Sequence, residues 1–259
     1  MNDITLPNQA ASQGTVVEQS RAVAEVAAAI QVAQQFPRNA ERSKAELERL
    51  ASSTAVAERA FYEVPNRGAG LSVHIARELA RIWGNIDYGV RELRRDDDQG
   101  ISEMQAWAWD QETNVRSTRS FIQPHQRMKA GRRQALTDLS DIYLNNQNTA
   151  ARAVRECIFT VLPGYFIDEA ESRLRERLRV GDGQPIEDRR AAAVRAFEEF
   201  GVTVKQLETK LKKQQGNWGP GELAALSRIR ATITQDGIPV TEFFPEEVVN
   251  VNELNQEKP

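Results

Sequence analysis

Cysteine and histidine are nearly absent from this chain of 259 residues, which has one Cys and two His. Cys157 sits in the apolar helical run AVRECIFTVL. A lone thiol closes no intramolecular disulfide, and in that setting it reads as a buried structural thiol. His74 and His125 stand in neither an HExxH nor a CxxC context, so a zinc site has almost no ligands to draw on. His74 lies in an apolar helical run and reads as a structural histidine. His125 follows Pro124 at a basic strand end, where contact with phosphate is open to it but simple solvent exposure is the plainer expectation. No GxxxxGK[ST] occurs, and no GxGxxG follows a strand, which argues against nucleotide use through either loop. Nothing like GxSxG marks a nucleophile. Apolar runs are short, far below the roughly 20 residues of a membrane helix. The opening stretch MNDITLPNQAASQGTVVEQS has neither the basic leader nor the apolar segment of a secretion signal. These absences lead to an expected cytoplasmic protein that is no enzyme and carries no cofactor and no metal.

Acid outnumbers base, with 37 Asp and Glu against 34 Lys and Arg for a net charge of −3. The chain as a whole therefore does not attract a polyanion, and nucleic-acid binding would need local clustering of base. Such a cluster exists. Residues 113–137 contain no Asp or Glu but hold Arg116, Arg119, Arg127, Lys129, Arg132 and Arg133. Arg116 and Arg119 fall on opposite faces of a strand, and the other four on its connection to the next helix. Arg152 and Arg155, three apart on one side of that helix, extend the supply. If sheet and helix pack together, several of these cations line a continuous strip; the plain alternative is a solvated surface. Carboxylates offer less. Asp96, Asp97 and Asp98 are consecutive in a turn, where side chains splay into solvent. Asp110 and Glu112 are placed to converge on an ion, but ETN stands where a metal-dependent nuclease would carry Glu-x-Lys.

Periodicity supplies the layout. Helical spacing covers 19–35, stopped by Pro37, and 40–52; VPNRGAG, 64–70, reads as a loop. A third helix runs from Ser72 as N-cap to Gly84 as C-cap. The period then drops to 2 through Ile86, Tyr88 and Val90, the turn RRDDDQG, the strand bearing Trp107 and Trp109, the turn DQETN, and a strand from Val115 to Ile122 closed by Pro124. In the middle strand Met104, Ala106 and Ala108 oppose Gln105, Trp107 and Trp109. The larger side chains gain most from burial, so the Trp face is the expected inner one. Stacking of bases on these rings is the alternative. Helices return over 136–162 and 164–179. After a linker at GDGQP, 181–185, shorter helical patterns occupy 189–200, 204–211 and 223–233. The expected architecture is α+β: helices flanking a three-stranded antiparallel meander, then a small C-terminal helical bundle. Its divisions are a polar tail (1–18), a core (19–180), a helical module (186–245) and an acidic tail (246–259), both tails disordered.

Helix, meander, basic connection, long helix and a terminal helical module resemble the phage single-strand annealing proteins of the RecT, Red-beta and ERF superfamily. The likeness rests on LSVHIARELARIWGNIDYGVREL, SEMQAWAWDQETNVRSTRSF and DIYLNNQNTAARAVRECIFTVLPGYF, with GVTVKQLETKL and GELAALSRIRATI similar to the terminal bundle of such recombinases. The resemblance implies ATP-independent binding of single-stranded DNA and pairing of complementary strands on a ring or filament of protomers. It also implies that helices 187–200, 204–213 and 223–233 recruit a partner exonuclease or single-strand-binding protein. The competing expectation is a non-catalytic phage accessory or scaffold protein that binds other proteins.

Overall fold

A computed structural model describes residues 12–64, 68–129, 132–235 and 237–245. Most of the expected N-terminal tail, residues 1–11, and the expected acidic tail 246–259 lie outside the described residues. Helices α1 (Gln13–Gln35), α2 (Ala40–Ala51) and α3 (Thr54–Arg59) come first. They are followed by a hairpin of β1 (Phe61–Val64) and β2 (Gly68–Leu71), then α4 (Val73–Trp83). The meander is β3 (Ile86–Asp96), β4 (Ile101–Asp110) and β5 (Val115–Pro124), and a second hairpin is β6 (Gln126–Lys129) and β7 (Arg132–Ala135). Helices α5 (Leu139–Val161), α6 (Gly164–Val180), α7 (Ile186–Glu198), α8 (Val204–Leu211) and α9 (Pro220–Gln235) follow. The fold is α+β around the antiparallel sheet β3-β4-β5, with a C-terminal helical region, as the periodicity indicates.

Local chemistry sets the boundaries. Ser72 accepts from the Ile75 amide to start α4, and Gly84, at a φ of 82°, ends it. Asn85 follows at a φ of 55° and turns the chain into β3. Asp138 caps α5 by accepting from the amides of Ser140 and Asp141.

The sheet is the reverse of the expected one. Met104, Ala106 and Ala108 are buried, and α5 lies over their face. The two alanines decide this, because their small side chains let the helix close until the Cys157 thiol sits 3.7 Å from the Ala106 carbonyl. Cys157 is fully buried, as a structural thiol should be. Trp107 is on the opposite face and lies flat across Gly89, where an added Cβ would come within 2.6 Å of the ring. Its indole N–H donates to Asp87 at 2.8 Å, and the Arg91 guanidinium sits 4.5 Å from the ring centroid. Trp109 is buried by Arg116, 3.9 Å from its ring, and donates to Asn114 at 3.1 Å. Arginines shield these rings.

Both hairpins occupy segments expected to be irregular. Within 64–70, Val64 and the Gly68–Leu71 strand pair, with Phe61 opposite Leu71. That hairpin rests on α9, where Thr232 accepts from the Glu63 amide at 2.9 Å and Arg228 meets Glu63 at 3.1 Å. Support from side chains so far along the chain leaves no local signal in residues 61–71. Among the described residues apolar side chains form two clusters. One joins α2–α6 with the meander, and the other, from Val194 to Phe244, surrounds Trp218. Among the described residues no helix is long and apolar enough to cross a membrane.

Candidate nucleic-acid interface

The eight candidate cations do not share one strip. Arg116 is on the sheet face opposite α5, committed to Trp109. Arg119 pairs in register with Ala106, so it points to the α5 side of edge strand β5, where it is exposed. Arg127, Arg132 and Arg133 are exposed on the second hairpin, where Lys129 stands opposite Arg132 and Met128 opposite Arg133. Strand alternation therefore puts positions 127 and 132 on one hairpin face and 133 on the other. Arg127 lies 3.6 Å from Asp141. No described carboxylate pairs with Arg116, Arg119, Arg132, Arg133 or Arg152. The hairpin was not legible because RRQA in β7 is exposed throughout and alternates nothing apolar.

His125 is 4% exposed, which overturns its expected solvent exposure. Its Nε2 is 2.8 Å from the Ser102 hydroxyl, its amide donates to Gly100, and its carbonyl accepts from Leu136. It pins the base of the basic hairpin to the β3–β4 turn, and this burial depends on contacts formed on both sides of it.

Arg152 and Arg155 come together elsewhere, in a cleft of about 530 Å³ between α4, α5, β1 and the end of α9. Here they meet Arg77 and His74 from α4, with Tyr62, Gln147, Asn148 and Thr149 among the other lining residues. No Asp or Glu is among the described residues that line it. Arg155 is held in place, its guanidinium 4.5 Å over Tyr62 and 3.0 Å from Glu156. Arg77 and Arg152 are exposed, without a carboxylate partner among the described residues. His74, expected as a structural histidine in an apolar helical run, is exposed at the cleft. Three guanidinium groups with amide and hydroxyl donors can take an anion with several oxygens, such as phosphate. Arg77 was missed by sequence reasoning. Nothing in ARELAR separates it from Arg81, which is paired with Glu78 and Glu46.

The carboxylates fare differently. Asp110 and Glu112 do converge, but on Arg38 and not on a space for an ion. The Arg38 guanidinium bonds to Asp110 and, at 3.0 Å, to Glu112. Glu112 also accepts from the Arg38 amide and from Asn85, each at 2.9 Å, while Asp110 accepts from the amides of Glu112 and Thr113. Burial alone would push both carboxyls up. Hydrogen bonds from Arg38 and Thr113 outweigh it at Asp110, and those from Arg38 and Asn85 at Glu112, so both sit below the usual carboxylate range. Of the turn acids, Asp96 meets Arg94 at 2.6 Å and Asp97 meets Arg95 at 2.7 Å. Comparison of the chain with protein-family models, curated proteins and solved structures finds no match.

Proposed function

We propose that this protein binds single-stranded DNA without ATP and anneals complementary strands in phage homologous recombination, working as a ring or filament of identical protomers. One observation carries the reading. In a chain with more acid than base, three arginines line a cleft whose described walls hold no acid. Phosphates entering that cleft displace condensed counterions, so affinity falls steeply with salt. The basic hairpin and the Arg119 edge hold neighbouring phosphates. Contacts to the backbone carry no base identity and leave base edges free for a second strand. No bond is made or broken. The C-terminal helices, built around Trp218, are the part that recruits an exonuclease or a single-strand-binding protein.

A second reading, an accessory protein that binds other proteins, is favoured by α1. Val16, Val17, Val23, Val26 and Val32 are all exposed on it, and Ala33 is its one buried residue. A helix so little supported gains from a protein neighbour. A titration of labelled oligothymidine over a salt series, followed by strand pairing without ATP, separates the two. The annealing reading expects salt-sensitive binding and pairing; intact protein that neither retards the oligonucleotide nor speeds pairing leaves the accessory role.

A further inference from the structure

An unpaired strand has two surfaces of opposite character, a polyanionic backbone and apolar base faces. The arginine cleft serves only the first. Helix α5 carries a candidate for the second. Residues four apart lie on one helix face, so Leu139, Tyr143, Gln147 and Arg155 fall along one ridge, and Leu144, Asn148 and Arg152 along the next. In their C-terminal half both ridges line the cleft. In their N-terminal half they are apolar and open to solvent, with Leu139 65% exposed, Tyr143 61% and Leu144 55%.

These turns are firmly held from behind. Ile142 and Asn146 are buried, Asn145 donates to the Pro124 carbonyl at 3.1 Å, and Asp138 caps the first turn. An exposed apolar cluster on a rigid helix end is a recognition surface more than a packing accident. Of the acids beside it in sequence, Asp138 is engaged in capping the helix and Asp141 lies 3.6 Å from Arg127 of the hairpin. At 1.5 Å per residue, Tyr143 precedes Arg152 by about 13 Å along the helix axis, within the reach of a few nucleotides.

We propose that Leu139, Tyr143 and Leu144 form a shelf on which unpaired bases stack while the same strand's phosphates enter the cleft, with Tyr143 as the stacking ring. The assignment rests on the single-strand-binding reading and deepens it. Its occupant follows from continuity: the shelf and the cationic cleft are two halves of the same pair of ridges, and an unpaired nucleic-acid strand has both an apolar and an anionic side to offer them. Stacking uses the face of a base and leaves its pairing edge open, as annealing requires.

The test is fluorescence anisotropy with the full chain and two labelled oligonucleotides of equal length, one of thymidines and one of abasic residues. Wild type is expected to prefer the thymidine strand about tenfold. Tyr143→Ala removes that preference, binds the abasic strand as wild type does, and keeps the wild-type salt slope; Tyr143→Trp restores the preference. Arg152→Gln weakens both strands alike and flattens the slope. A Tyr143→Ala protein that retains the full preference overturns the shelf even if Arg152→Gln behaves as expected. So does one in which only the oligomer mass changes by light scattering, which makes the patch a protein contact. If wild type binds neither strand, the underlying DNA-binding reading fails; if it binds both and Arg152→Gln leaves the affinities unchanged, the phosphates do not enter the cleft and the shelf fails with that placement.

Discussion

Arg38→Ala is expected to destabilise the fold by about 3–5 kcal/mol, because it leaves two carboxylates without the cation they surround. Asp110 is buried and Glu112 mostly so, and the Arg38 side chain is itself only 12% exposed. The lost contacts reach three parts of the chain. Arg38 lies between α1 and α2, its carboxylate partners close the β4–β5 turn, and its guanidinium sits 4.9 Å from the ring of Trp83 on α4. Urea denaturation followed by circular dichroism measures the change. Arg38→Lys keeps the charge but not the planar fork, so its loss should be smaller. The same network predicts acid sensitivity. Asp110 and Glu112 have folded-state values below the unfolded ones, so their contribution is full above the ordinary carboxylate value of about 4 and is lost as pH falls through the depressed values. In Arg38→Ala this acid-limb loss should largely vanish, since burial then works against the charged carboxylates.

The largest functional effect is expected from Arg77→Gln combined with Arg152→Gln. Both side chains are exposed and lack a described carboxylate partner, so their removal should spare the fold and act on the ligand. Each phosphate contact contributes about 0.7 to the slope of log affinity against log salt for a single strand. Losing two should flatten that slope by about 1.4. Binding at low salt should weaken by about 10- to 100-fold, uniformly across sequences. Anisotropy titrations at several salt concentrations measure both quantities. Arg116 is a poorer probe, because its guanidinium covers Trp109 and a substitution there disturbs the sheet as well as its charge.

The parts of this molecule legible from sequence are those whose signal is local. Ser72 and Gly84 mark the ends of α4, and the alternation from Ile86 to Ile122 marks the meander. Structure departs from the local signal where a partner distant in sequence decides the outcome. The β1–β2 hairpin depends on α9. The inner face of β4 was settled by how closely α5 approaches Ala106 and Ala108, and size alone pointed to the tryptophans. Arg38 lies in a short polar connection and gives no hint that it would satisfy Asp110 and Glu112, the pair most open to a metal reading. The candidate site was half legible. Arg152 and Arg155 were placed on one side of a helix, where the cleft has them, but Arg77 comes from an element that only tertiary packing brings to meet them. The acid-free segment 113–137 was visible as charge, yet it folds as an edge strand and a hairpin apart from the cleft lining and not as one continuous strip.

Central to this account is a single strand lying along α5 with its phosphates in the arginine cleft. Photocrosslinking of an oligonucleotide carrying 4-thiothymidine, followed by mass spectrometry of the attached peptides, reads that placement directly. Attachment is expected within residues 139–155 of α5 and around Tyr62 and Arg77, and should be suppressed as salt is raised. Attachment confined to α1 or to the C-terminal helices, or none from a strand that is demonstrably bound, would contradict it.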